Sequence, residues 1–222
     1  MTASAKRYFI ISFLFLVLFL ISFLVFAHHL IQNKLQVFDQ LIIAKTQAMI
    51  HPQLTSMMKF FTFLGDPLTL LGVLLLAALT MFRQRKRWEA LFLTVALAGG
   101  ALFNWLLKWI FQRERPTLHR LIEETGYSFP SGHSMNAIIL YGMIGMLCYL
   151  FLKNVWPKLL IVFGALLLIL LIGNSRIYLG VHYPSDVAAG FAAGGVWLVI
   201  CLIGLRLVLE WRSRRARQSG PS

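Results

Sequence analysis

Charge is scarce in this chain: 13% of its 222 residues are Asp, Glu, Lys or Arg, against roughly 25% in an ordinary soluble domain. Acid is scarcest, with 8 Asp and Glu against 21 Lys and Arg. Cysteine is limited to Cys148 and Cys201. Both lie inside apolar runs, which excludes a disulfide scaffold and leaves them to pack as small hydrophobes. Missing too is any long polar stretch that could make a soluble Rossmann-type enzyme or a disordered chain. What is there instead is 59% hydrophobic residues, gathered into apolar runs of 17 to 23 residues, uncharged but for Asp66, that recur along the whole chain. No soluble monomer could hide that surface, so lipid must be the solvent.

Six runs qualify as membrane spans: residues 8–27, 60–82, 90–107, 134–152, 159–175 and 187–205. They lack the period-two alternation of barrel strands, and backbone groups in lipid must be satisfied internally. The fold expected is therefore all-α, a polytopic bundle of six transmembrane helices forming one integral membrane domain over residues 1–222. The first run is longer than a signal-peptide core, and Val25-Phe26-Ala27-His28 offers no small-x-small cleavage site, so it reads as a retained helix. Gly65-Asp66-Pro67 predicts a broken start to the second run, with regular helix from about Leu68. The mixed segment 32–58 reads equally well as an interfacial amphipathic helix and as a plain loop.

A net charge of +13 would suggest nucleic acid in a soluble protein. Position argues otherwise, because the basic residues cluster in short segments between apolar runs, where anionic headgroups account for them. With the N-terminus cytoplasmic, twelve Lys and Arg fall inside, among them Arg83, Arg85, Lys86, Arg87 and the basic tail 211–222. Both termini are thus expected in the cytoplasm of a multi-pass cell-membrane protein. Eight others, Lys34, Lys45, Lys59, Lys108, Arg113, Arg115, Arg120 and Arg176, fall outside. The positive-inside tendency should have emptied that set, so it needs another cause.

Three outer segments supply one: 108–116, with Lys108 and Arg115-Pro116; 130–133, with Pro130-Ser131-Gly132-His133; and 175–186, with Ser175-Arg176, His182 and Asp186. All fall on the same side by loop parity and can converge at helix ends. Lys108, Arg115 and Arg176 would repel one another unless an anion sat among them. Phosphate fits, since guanidinium forks match its oxygens and Lys adds a point charge. Ser131 reads as an N-cap with Gly132 allowing close approach, so the amides opening the fourth helix offer a second anion cradle. Of the two imidazoles, His182 is assigned as nucleophile on phosphorus and His133 as general acid and then base. Asp186, four residues after His182 with Pro184 suited to a first helical turn, would fix the His182 tautomer.

Taken singly, these residues have duller explanations. Lys108 and Arg176 could snorkel toward headgroups, and Pro130-Ser131-Gly132 could be only a turn and cap. A zinc site on His133, His182 and Asp186 would place a divalent cation among three fixed ones with no fourth ligand, so no metal and no cofactor is expected. His28, His29, His51 and His119 read as interfacial-loop residues. Glu114, Glu123 and Glu124 read as solvated surface in a connection, 111–129, that could gate the site. Gly99-Gly100, Gly142 with Gly145, and Gly190 with Gly194-Gly195 suit close helix packing, within one chain or between two copies. Trp88, Trp105, Trp109, Trp156 and Trp211 lie near run ends, as an interfacial belt would place them.

Taken together, the three segments resemble the signature motifs of the type 2 phosphatidic acid phosphatase (PAP2) superfamily, K-x6-R-P, P-S-G-H and S-R-x5-H-x3-D, complete from Lys108 to Asp186. The resemblance implies a helical core and metal-independent phosphohistidine chemistry. It points to a membrane lipid phosphatase acting on a phosphomonoester or terminal diphosphate at the extracytoplasmic face, with undecaprenyl diphosphate or phosphatidylglycerophosphate as leading substrates. Phosphotransfer to an acceptor alcohol uses the same residues and stays open. A non-catalytic anion-binding transporter or scaffold would be marked by loss of His133, His182 or Asp186, or by polar mid-membrane residues, and neither is present.

Overall fold

The computed structural model describes residues 3–117 and 120–218, so His119 and residues 219–222 of the basic tail lie outside the described residues. Among them are eight helices and no strand: α1 (Ala3–Ile31), α2 (Gln36–Gln47), α3 (Pro52–Leu64), α4 (Pro67–Arg83), α5 (Arg87–Phe111), α6 (Gly132–Phe151), α7 (Val155–Tyr178) and α8 (Pro184–Gln218). Five of these, α1, α5, α6, α7 and α8, are each long and apolar enough to cross a bilayer.

The sixth passage is broken where Gly65-Asp66-Pro67 predicts, but the part before the break is a helix of its own that begins well ahead of residue 60. Helix α3 meets α4 at 53°, and the two make a sixth span when counted as one bent element. The break has a local cause. Pro67 has no N–H to donate and excludes the helical conformation from the residue before it, and Asp66 takes φ −69°, ψ 140°. Helix resumes at Pro67, close to the predicted Leu68. Hydropathy did not reveal the helix before the break, which starts at Pro52 with the His51 ring accepting from Leu54 N at 3.4 Å. Segment 32–58 is likewise helical over most of its length, as α2 and the first half of α3.

The centre of the bundle is the crossing of α6 and α8. A Cβ on Gly190 would come 2.7 Å from the Ser131 carbonyl, and one on Gly194 would come 2.6 Å from the Met135 carbonyl. Bare backbone on α8 therefore lets the start of α6 lie against it. Helix α1 runs antiparallel to α8, with Tyr8 Oη donating to Leu202 O at 3.2 Å and the Phe19 ring filling the space over Gly195. These glycine surfaces are used within the chain.

The two ends of the bundle differ in chemistry. At one end Lys86 Nζ lies 3.0 Å from the centroid of the Phe151 ring, and the Arg212 and Arg206 guanidiniums face Trp88 and Tyr8 at 5.8 and 5.6 Å. At the other end α5 and α7 finish and α6 and α8 begin. Phe23, Phe111 and Phe129 close the bundle beneath them, with centroids 5.0 to 6.2 Å apart.

Candidate active site

Helix α7 ends at Tyr178, and the chain turns through Gly180 at φ +73°, a conformation that costs glycine least. Pro184 then opens α8, which places His182 on the turn and Asp186 in the first helical turn. Nδ1 of His182 lies 3.4 Å from Oδ2 of Asp186, while Nε2 lies 3.1 Å from Nη1 of Arg115. Arg115 can only donate, so Nε2 presents its lone pair and the ring proton sits on Nδ1. Burial pushes the His182 pKa down to about 4; the Asp186 carboxylate opposes this and Arg115 and Arg176 add to it. The ring is therefore neutral at neutral pH. Asp186 is fully buried, and its Oδ2 also accepts from Tyr183 N at 2.9 Å and from the Ser128 hydroxyl.

The cations reach the same point from three elements. Gln112, at φ 44°, caps α5 in the left-handed region and turns the chain so that Arg115 folds back under it. The Arg115 guanidinium donates to the carbonyls of Gly126, Thr125 and Val181 at 2.9, 3.0 and 3.0 Å. Its pKa is lowered from the usual range by burial. Arg176 is 1% exposed; Nη1 bonds the Thr62 hydroxyl at 2.5 Å, and Nε has no hydrogen-bond partner among the described residues. Lys108 Nζ donates to Tyr127 O at 2.6 Å, within electrostatic reach of Arg115 and Arg176.

Between the two arginines sits a carboxylate that sequence reasoning assigned to solvent. Glu124 Oε2 lies 2.8 Å from Arg176 Nη2, off the hydrogen-bond line, and Oε1 lies 3.8 Å from Arg115 Nη2. Burial works against its ionisation, but the Arg176 and Arg115 charges outweigh that and hold the carboxyl below the usual range. Glu114 and Glu123 are exposed, as expected. The difference is one of placement: the turn at Gly126 carries Glu124 inward, which no spacing rule shows.

At the start of α6 the Ser131 hydroxyl accepts from Ser134 N at 3.4 Å, and Ser131 N donates to the Asp186 carbonyl at 3.0 Å. That amide is spent on joining α6 to α8, so the cradle offered by the sequence begins at Gly132. A Cβ on Gly132 would lie 3.0 Å from Asn104 Oδ1, and Asn104 in turn donates to Pro130 O at 3.2 Å. The His133 ring lies against Gly65, where a Cβ would come 3.0 Å from Cδ2. It faces Arg176, His182, Lys108 and Arg115 electrostatically. All eight predicted site residues thus gather at one end of the bundle. Beside His182 lies a cavity of about 230 Å³ bordered by Gln40, Ile43, Pro116, Thr117, Ile177 and Tyr183 among others.

The family model of the PAP2 superfamily matches residues 89–208, a stretch that contains every one of those eight. The chain belongs to the PAP2 superfamily. Among relatives of this PAP2 chain, phosphatidylglycerophosphatase B of Bacillus subtilis is 35% identical over 176 residues, 78% of this chain and 85% of that protein. An undecaprenyl-diphosphatase of the same organism is 35% identical over 120 residues, 51% of this chain and 57% of its own length. In three dimensions, the crystal structure of the transmembrane PAP2-type phosphatidylglycerolphosphate phosphatase from Bacillus subtilis superposes with TM-score 0.77 at 31% identity. It covers 84% of this chain and 93% of that one. LpxE of Aquifex aeolicus gives TM-score 0.61 at 26% identity, over 74% and 94%.

The sequence motifs did not include Asp39, Arg113, Ser128 or Ser185, all of which meet Asp186 or its partners. Arg113 could have been suspected, as a second arginine two residues before the motif arginine in a loop that should have been poor in basic residues. Nothing in the spacing connects Asp39 to the site.

Proposed function

We propose that this PAP2 chain hydrolyses the phosphomonoester or terminal diphosphate of a membrane lipid through a phosphohistidine on His182, with no metal. It is a membrane lipid phosphatase by family. The observation that carries the mechanism is the His182 ring held at both edges, Nδ1 by Asp186 and Nε2 beside Arg115. A phosphoryl group bound by Lys108, Arg115, Arg176 and the first amides of α6 takes over the Arg115 donor from Nε2 and presents its phosphorus to the lone pair so released.

In the first step Nε2 bonds to phosphorus, the P–O bond to the leaving group breaks, and His133 gives that oxygen its proton. In the second, water attacks the phosphohistidine, His133 takes a proton from the water, and the P–N bond breaks to release phosphate and neutral His182. Asp186 stabilises the positive charge that His182 acquires on attack. The three cations stabilise the charge on the transferring oxygens, so a divalent metal is neither needed nor electrostatically favoured.

We place the site on the extracytoplasmic face and both termini in the cytoplasm, a reading supported by the basic clusters at the opposite end of the bundle. The relatives' names favour phosphatidylglycerophosphate and undecaprenyl diphosphate as substrates. Phosphate release from both lipids and from phosphatidic acid, with EDTA present, tests the activity on purified protein in detergent. Turnover should survive the chelator and stop with vanadate; loss with EDTA and recovery with one metal would overturn the mechanism.

A further inference from the structure

Asp186 does not hold His182 alone. Its Oδ1 accepts from Arg113 Nη1 at 2.7 Å, and Arg113 Nη2 donates to Asp39 Oδ2 at 2.7 Å. Asp39 belongs to α2, where Val37 and Leu41 are exposed while Asp39 is 2% exposed. Its two oxygens also accept from Ser185 N at 2.9 Å and Ser185 Oγ at 2.8 Å. The Arg113 guanidinium lies 3.9 Å over the Tyr183 ring. A continuous row therefore runs from imidazole to carboxylate to guanidinium to carboxylate: His182, Asp186, Arg113, Asp39.

Charge gives the row its meaning. Arg113 by itself would cancel the Asp186 carboxylate just where a negative charge must support the cation forming on His182. Asp39 restores one negative charge to the set. The side chains of Arg113, Asp39 and Asp186 are 14%, 2% and 0% exposed, so water screens these terms weakly.

We infer that Asp39 and Arg113 are positioning residues for the phosphoryl transfer: Asp39, acting through Arg113, fixes Asp186 and keeps the net charge behind His182 negative. Docking of α2 is then part of assembling the active site, although neither residue touches substrate. This rests on the reading of His182 as the nucleophile.

The test is steady-state kinetics of the purified full-length chain, with vanadate inhibition measured alongside. Asp39→Asn keeps the shape and removes the charge. It should lower kcat about tenfold, with KM and vanadate inhibition changed less than about twofold because the phosphate cations are untouched. Adding Arg113→Gln returns the set to one negative charge with donors in place, so Asp39→Asn/Arg113→Gln should be several-fold faster than Asp39→Asn. A purely mechanical clamp has no such recovery, and a double variant as slow as or slower than Asp39→Asn overturns the inference. Asp39→Glu gives a second reading that does not depend on Asp39→Asn folding: it carries the charge and should keep kcat within about threefold of wild type. A larger loss in Asp39→Glu also overturns it. An active His182→Ala would instead sink the reading of the site, whereas an inactive His182→Ala beside an unimpaired Asp39→Asn sinks this inference alone.

Discussion

Glu124 Oε2 lies 2.8 Å from Nη2 of Arg176, with its other oxygen 3.8 Å from Arg115, so a carboxylate of the chain occupies the point where two motif cations converge. On the proposed function a phosphoryl group takes those same donors and carries more charge, so the expected outcome is that Glu124 gives way when an anion binds.

Replacing Glu124 with Gln should strengthen vanadate inhibition about threefold to tenfold at neutral pH, since the anion no longer displaces a like charge from a partly exposed pair. Inhibition that weakens in Glu124→Gln would show that the carboxylate does not compete for the cations.

The two histidines should separate by leaving group. His182→Ala should abolish turnover and the trapped phosphoenzyme with every substrate. His133→Ala should lose about a hundredfold or more on alkyl phosphates, whose leaving oxygen needs a proton, and much less on an aryl phosphate. Label trapped on His133 in the wild type, using an acid-free quench, would reverse the assignment.

Acid should destabilise the protein through His182. Its pKa is near 6.5 in an unfolded chain and about 4 here. Between those values the unfolded state takes up a proton that the folded state refuses, so stability is full above about pH 6.5 and is lost progressively as pH falls toward 4. The thermal midpoint in detergent should therefore drop more between pH 7 and about 4.5 in wild type than in His182→Gln. Parallel curves would mean that His182 titrates normally.

Gly190→Ala tests the α6–α8 contact, because its Cβ would lie 2.7 Å from the backbone carbonyl of Ser131 and cannot be relieved by a rotamer change. Overpacking of this kind costs about 1–3 kcal/mol, and the displaced strut carries His133, so stability and kcat should both fall. Gly72→Ala, whose Cβ would meet nothing within 4 Å among the described residues, is the control and should leave both unchanged. Equal behaviour of the two variants would show that the crossing is looser than described.

Topology is tested by thiol labelling in intact cells, in a background without Cys148 and Cys201. A cysteine replacing Thr117 should react with an impermeant reagent, and one replacing Gln84 should be protected. The reverse pattern would put the site in the cytoplasm.

Run length and composition were enough for the lipid solvent and the helical architecture, and three short motifs name eight residues that lie together at one end of the bundle. Apolar run length and the motif spacings of Lys108, Arg115, His133, Arg176, His182 and Asp186 are properties of neighbouring residues and can be read along the chain, although Arg115 and His182 reach the site through a loop and a turn rather than on a helix face. Three features depend instead on contacts between distant parts of the chain. The helix before Pro67 has too mixed a composition to read as a span, and it forms where it packs on α7, as in the Thr55–Tyr178 hydroxyl contact. Glu124 is indistinguishable from Glu123 along the chain, and only the path of the loop turns one toward Arg176 and the other to the surface. Asp39 lies 147 residues from Asp186, and it joins the site because Arg113 bridges them at 2.7 Å on each side. Buried charges choose partners by distance in space, and no local pattern encodes that distance when the partners sit on different helices.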